Sequence, residues 1–222
     1  MNVRLVAITK PTTEGITTAS ELIGYCARVS NPTNQENIKT MPKLLAYMAN
    51  HGHWSPFEMA HMVVEIKTTR DVLEQMIRHK SFAFQVFSQR YSVVTNPPVF
   101  RGARLQDPKN RQSSIETDDD DLQRWWASRQ AAIAEITRET YQEAVERGIA
   151  KEVARSVLPE GQTPTTLYMA GPIRSWIHYC QLRCGPETQK EHRLIAEECR
   201  LILLREFPTL SEIMNTTEKQ DA

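Results

Sequence analysis

The sequence predicts one α+β domain over residues 1–222, with helices packed on a mostly antiparallel sheet. Short β-branched or apolar runs are mixed with amphipathic helical stretches, without the regular strand–helix–strand rhythm of a parallel sheet. No internal repeat and no second composition regime divides the 222 residues. That length is enough to bury one large core.

Val3 to Thr9 is rich in β-branched and apolar residues and reads as a strand. Thr18 to Arg28 is helical. Thr40 before Met41-Pro42 has the pattern of an N-cap followed by proline, and Gly52 closes that helix. His61 to Lys67 is the best strand candidate in the chain. Thr69 then starts a helix, TRDVLEQMIRHK, with Leu73, Met76 and Ile77 on one face. Pro97, Pro98, Gly102 and Pro108 mark a loop reaching about Thr117. The acids Asp118 to Asp121 complement the start of a helix that runs to Arg147 and Gly148. Trp125 and Trp126 are adjacent, so at most one faces the core directly. A short helix, Ala150 to Val157, stops before Pro159, and Thr165 to Ala170 is a strand. Gly171-Pro172 opens the helix IRSWIHYCQLR, buried through Trp176, Ile177 and Leu182, which Gly185-Pro186 ends. The last helix, Glu187 to Glu206, packs through Leu194, Ile195, Leu201, Ile202 and Leu204, and residues 208–222 read as a solvated tail.

Lys+Arg and Asp+Glu both total 27, which argues against bulk nucleic acid or an anionic membrane as the main partner. A chain near its isoelectric point tends to self-associate. No apolar run approaches the roughly 18 residues of a membrane span, and the first residues lack a signal-peptide pattern. Cys26, Cys180, Cys184 and Cys199 form no C-x-x-C pair, which suggests reduced thiols in a cytoplasm. Cys180 and Cys184 lie one helical turn apart near His178 and His192, but the paired hooks of structural zinc are missing, so no metal is expected.

Chemistry concentrates in Arg78 to Tyr91, RHKSFAFQVFSQRY. Three cations, a histidine, two serines and two amides are interleaved with aromatics. A planar anionic ligand needs that mixture: arginine forks for phosphate, hydroxyls for orientation, aromatic faces for a ring. Gln75, Arg78 and His79 stand at i, i+3 and i+4 and share a face if the helix continues; a wet surface with Glu74 pairing Arg78 is the plain alternative. Arg174 and His178 also share a face, with Arg183 about half a turn away, in a helix whose arginines could equally be surface ions. Arg155 in A-R-S-V-L-P is explained by the helix dipole alone. His53, Ser55 and Glu58 surround Pro56-Phe57 in H-W-S-P-F-E. Read alone, these groups also admit a nucleotide-binding enzyme without flavin. They admit as well a single-strand binder that stacks bases on Phe82, Phe84, Phe87 and Tyr91.

In this order, H-W-S-P-F-E, R-H-K-x7-S-Q-R-Y, A-R-x-V-L-P and R-S-W-I-H-Y-x-x-L-R resemble the landmarks of the flavin-dependent thymidylate synthases. Gln189 and Glu191 match that family's Q-x-E, and the resemblance runs from His53 to Glu191. It implies a homotetramer of α+β subunits with shared active sites, which methylates dUMP to dTMP. The carbon donor would be 5,10-methylenetetrahydrofolate, with FAD as hydride carrier and NADPH as reductant. Carried over by motif, Gln75, Arg78, Val86, Phe87, Ser88, Gln89, Arg90, Arg155 and Arg183 hold dUMP, the turn at 86–90 through its backbone N–H groups. His53, Ser55, Arg78, His79, Lys80, Arg174 and His178 line the flavin site, and Arg183 is the catalytic candidate. Three positions depart from the family's usual residues. Lys80 replaces an arginine, exchanging a planar fork for a point charge; Val86 replaces a frequent glutamate; Pro172 replaces a frequent Asn or Thr.

Overall fold

The computed structural model describes Asn2–Ser211 and Met214. Its main sheet has four strands in the order β1 (Asn2–Ile8), β2 (His61–Thr69), β6 (Pro164–Pro172), β3 (Ala83–Val86). The hydrogen bonds identify its sense. Thr9 N donates to His61 O at 3.0 Å, joining the end of β1 to the start of β2. Ile173 N donates to Ala60 O at 2.9 Å and Arg70 N to Thr163 O at 3.1 Å, so β2 and β6 also run in opposite directions. The helix and strand mixture is therefore α+β with an antiparallel sheet, as the sequence predicts. Tertiary contacts divide the chain into two compact units. One comprises Met1–Ile66, His79–Phe84 and Tyr168–Ala222, the other Lys67–Arg78 and Gln85–Leu167.

In the first unit, α1 (Ala19–Ala27) starts at a complete capping box, Thr18 accepting from Glu21 N while Glu21 accepts from Thr18 N. The next helix, α2 (Met41–Asn50), ends before Gly52, whose φ of +71° is the left-handed turn glycine supplies. Thr40 does not cap it. Its hydroxyl instead accepts from Arg28 Nη2 at 2.6 Å, while Arg28 Nη1 donates to the Asn34 and Asn37 carbonyls. A buried guanidinium needs those acceptors, and that need outweighs the cap.

The core of this unit lies where α6 (Ile173–Arg183) packs on α7 (Lys190–Glu206). Ile173, Trp176, Ile177, Tyr179 and Cys180 face Ile195, Ala196, Cys199, Ile202 and Leu203, all buried. Leu182, Leu194 and Leu201, expected in the core, are exposed instead, because the buried stripe takes the neighbouring positions. Trp176 satisfies its indole N–H on Met62 O at 3.1 Å. Gly171 is buried, and a Cβ there would stand 2.5 Å from the Phe82 ring. Phe82 cannot easily yield, since it packs edge-on against Trp176 at 4.8 Å and Tyr179 at 6.0 Å. Fully buried His192 brings Nε2 within 3.1 Å of Tyr179 Oη. Burial first, and then the charge of Arg183, pushes its pKa down to about 3.

The second unit contains α3 (Arg70–Met76), α4 (Asp120–Glu146) and α5 (Lys151–Ala154), followed by a 3-10 turn at Arg155–Val157. Asp119 Oδ1 accepts from Leu122 N at 3.0 Å and caps α4, and Gly148 leaves it at φ +80°. Helix α3 stops at Met76, so Arg78 and His79 lie in the following turn and not on a continued helical face. The long loop contains an unforeseen hairpin, β4 (Arg104–Gln106) with β5 (Ser114–Glu116). Side-chain amides replace a ladder before it: Gln130 bonds both Arg101 N and Arg101 O, and Gln123 both Ala103 N and Ala103 O. Arg101 in turn grips Asp71 through two hydrogen bonds of 2.6 and 2.9 Å. Trp125 and Trp126 stack on each other and both remain exposed.

The solvated tail expected from residue 208 does not begin there. Pro208–Leu210 is a 3-10 turn, Leu210 and Met214 are buried and Ser211 is half-buried; the other positions from 212 to 222 lie outside the described residues. Among the described residues no helix is long and apolar enough to cross a membrane.

Two stability predictions follow from the first unit's core. Gly171→Ala overpacks Phe82 and costs about 1–3 kcal/mol, measurable as a lowered urea midpoint at constant slope. His192 is neutral in the fold but takes a proton near pH 6.5 when unfolded, with a folded pKa of about 3. The unfolded chain thus binds more protons in that window. The stabilisation is fully present above pH 6.5 and is lost as pH falls toward 3. Unfolding midpoints at pH 7 and 5 should fall further apart in wild type than in His192→Phe.

Candidate active site

In the first unit, H-W-S-P-F-E places Ser55–Glu58 in a 3-10 turn, with proline pre-setting its start. This turn packs on α6, and Arg174 Nη1 donates to Glu58 Oε1 at 2.9 Å. Both side chains are about two-fifths exposed, so solvent screens the pair and it adds little stability. One helical turn on, exposed His178 meets the Trp54 ring edge-on at 5.2 Å. Partial burial of its ring, and then the Arg174 charge, lower its pKa, while Glu58 opposes them. Ser55, Arg174 and His178 are thus brought to one exposed patch, with Trp54 and Glu58 completing it. His53 is exposed beside Tyr47 and His51, two rings that stack at 4.1 Å. Trp54, Tyr47 and His51 carried no separate signal in the sequence beyond their nearness to the motif.

The same unit joins His79 to Arg183. Arg183 Nε donates to His79 Nε2 at 3.0 Å. The acceptor nitrogen must carry a lone pair, so His79 is neutral with its proton on Nδ1. Partial burial, and then the arginine charge, lower its pKa in the same sense. Among the described residues no carboxylate pairs with Arg183, in contrast to Arg174 with Glu58. Tyr179 presents its ring edge-on to His79 at 5.0 Å. Lys80 is exposed in the turn that follows. Phe82 is buried in the aromatic cluster, which removes it from the base-stacking platform that a single-strand binder would need.

In the second unit, Ser88, Arg90 and Tyr91 line a surface hollow of about 350 Å³ with Ala150, Lys151 and Glu152. Arg90 Nε donates to Glu152 Oε2 at 3.2 Å, and both ends are more than half exposed. Lys151 Nζ donates to Tyr91 O at 2.8 Å. Sequence reasoning missed Lys151, although it opens the helix that leads to Arg155. Arg155 is half-buried in the 3-10 turn. Arg78 is exposed, and Glu74 pairs with Arg70 at 3.8 Å rather than with Arg78. Gln75 sits half-buried on α3. The expected backbone cradle at 86–90 is smaller than the motif suggests, because Phe87 N already donates to Thr166 O at 2.9 Å. Val86 ends β3 with its side chain half-buried. Gln89 is buried, and among the described residues its Nε2 has no acceptor.

The comparisons agree with this arrangement of motifs. The family model described as "Thymidylate synthase complementing protein" matches residues 13–209. A probable flavin-dependent thymidylate synthase of Paramecium bursaria Chlorella virus 1 is 50% identical over 215 residues, covering 97% of this chain and 99% of that protein. A flavin-dependent thymidylate synthase of Synechocystis is 49% identical over 214 residues, covering 95% and 98%. In three dimensions the chain resembles the UMP/dUMP methylase PolB of Streptomyces cacaoi, crystallised with 5-Br dUMP. The TM-score is 0.79 at 24% identity, over 97% of this chain and 94% of that one, a likeness of fold. With the matched region spanning nearly all of its described length, the chain belongs to the thymidylate synthase complementing protein family, that of the flavin-dependent thymidylate synthases.

Proposed function

We propose that this chain is a flavin-dependent thymidylate synthase, which reductively methylates dUMP to dTMP with 5,10-methylenetetrahydrofolate as carbon donor and FAD and NADPH as hydride source. The observation that carries this reading is Arg183, a cation held by a neutral imidazole. A guanidinium with no carboxylate partner retains its full attraction for negative charge. On a bound uracil that charge develops at the carbonyl and N3 region as C6 becomes electrophilic. Arg183 stabilises it, and His79 aims the guanidinium.

The hollow at Ser88 holds the phosphate. Arg90 exchanges the exposed Glu152 contact, worth about 1 kcal/mol or less, for a stronger phosphate contact. Ser88 and Lys151 supply further donors, and Arg78 and Arg155 add charge. The orphaned Gln89 Nε2 gains an acceptor when nucleotide binds. Leaving such a donor buried and unpaired costs about 1–3 kcal/mol. Gln75 and the 86–90 backbone complete the dUMP contacts.

The first unit's residues fit a flavin dinucleotide by their chemistry. Arg174 and Ser55 suit the pyrophosphate, His178 and Trp54 offer ring edges, and Lys80 contributes a point charge; Arg78 is a further flavin candidate by its motif. When bound, FAD supplies the hydride that reduces the transferred carbon. His53, in its exposed aromatic setting, faces the flavin and folate. Trp125, Trp126, Ile133 and Ile136 form an exposed apolar face on α4, which supports a homotetramer with shared sites. We further propose a single functional domain that works in the cytoplasm.

The decisive experiment titrates FAD-loaded protein with NADPH anaerobically, then adds dUMP and methylenetetrahydrofolate while flavin absorbance and dTMP are followed. Bleaching and then reoxidation coupled to dTMP is expected; flavin that binds without dTMP forming would overturn the synthase reading. Arg183→Ala should abolish dTMP formation while flavin absorbance persists. Ser88→Ala should raise the dUMP KM several-fold with a smaller change in kcat, and an unchanged KM would remove Ser88 from the phosphate site.

A further inference from the structure

The His79–Arg183 contact has a support among residues to which no ligand has been assigned. A lone hydrogen bond between a cation and an imidazole selects the tautomer but does not hold the ring in place. With its proton on Nε2, the same ring would meet Arg183 donor to donor and push it away. Behind His79 lie Tyr179, edge-on at 5.0 Å, and His192, at 6.4 Å between ring centres. Tyr179 Oη and His192 Nε2 stand 3.1 Å apart, and both residues are essentially excluded from solvent. Tyr179 therefore cannot swing its ring without breaking a buried hydrogen bond. Its face is further fixed by Trp176 and Phe82, at 5.9 and 6.0 Å. The two rings behind His79 are themselves uncharged, since burial raises the Tyr179 pKa and lowers that of His192.

We propose that Tyr179 and His192 are positioning residues: their hydrogen-bonded pair backs the His79 ring so that its bare Nε2 keeps facing Arg183, and so aims the Arg183 guanidinium with its charge uncompensated. The inference rests on the synthase reading for its kinetic consequence, but not for its structural content. Burial and the Arg183 charge work in the same direction, since both keep His79 and His192 neutral. A carboxylate in the place of His79 would hold Arg183 as well, yet would cancel the charge that the uracil must feel.

The test uses the full-length, FAD-loaded protein with ring-15N-labelled histidine, in wild type, Tyr179→Phe, His192→Phe and His192→Gln. Solid-state 15N spectra, with His79 identified by difference against His79→Gln, report which ring nitrogen carries the proton. The expected wild-type result is one tautomer, Nδ1–H with bare Nε2. Tyr179→Phe and His192→Phe should give a mixture of tautomers, with kcat lowered about tenfold and the dUMP KM within twofold. His192→Gln keeps a hydrogen-bonding group near Tyr179 and should recover at least half of the lost kcat. A proton on Nε2 in wild type would overturn the proposal. So would a wild-type His79 spectrum in both phenylalanine variants, whatever their kcat, because the pair would then not act through His79. If no variant and no wild type forms dTMP, the synthase reading fails while the nitrogen spectra still decide the pair's hold on His79.

Discussion

Arg183 is held by an acceptor without charge, and much of the first unit is arranged to keep it so. Other arginines of the chain meet carboxylates: Arg174 meets Glu58, Arg90 meets Glu152, Arg101 meets Asp71. Those pairs are stable resting places for a cation, and they lower its pull on anything else. The bond to His79 Nε2 orients Arg183 at no cost in charge. Its price is that the imidazole must stay neutral, which demands burial and an uncharged lining. Trp176, Tyr179, Phe82 and His192 provide both, and the bare Cα of Gly171 makes room for the Phe82 ring.

The second unit solves a different problem with different means. The phosphate site proposed there must be open to a ligand that arrives with two charges, and Arg90, which lines the hollow, is exposed with a weak present partner. The Arg90–Glu152 pair is screened by water on both sides and can be exchanged. Elsewhere in the same unit the contacts are shorter and more buried. Asp71 receives two hydrogen bonds from Arg101, and paired amides from Gln123 and Gln130 clamp the strandless backbone at 101–103.

The fold was legible where local chemistry and burial agree. The Thr18–Glu21 capping box, the glycines at 52 and 148 and the β-branched run of β2 all stand where the sequence places them. It failed where tertiary demand won. Thr40 has cap chemistry but serves a buried arginine, and the TRDVLEQMIRHK pattern continues past the residue where α3 ends. The β4–β5 hairpin is only three residues per strand and gives no periodic signal. Leu182, Leu194 and Leu201 show that composition names candidate core residues, whereas the facing helix selects among them.

The motifs located the charged groups of the site and left their partners unseen. No spacing rule connects Arg183 to His79 across 104 positions, or His192 to Tyr179 across a helix break. Tyr179 stands in the R-S-W-I-H-Y landmark with no role of its own, and His192 enters only as a neighbour of Cys180 and Cys184 in a metal site that is not expected. Their meaning is relational: a phenol and an imidazole become a support only when both are buried and aimed at each other. A substitution such as Lys80 for arginine is visible by comparison with a family's pattern. The buried Tyr179–His192 pair behind His79 is visible only in the fold, because it takes the packing of two helices to bring a phenol and an imidazole together.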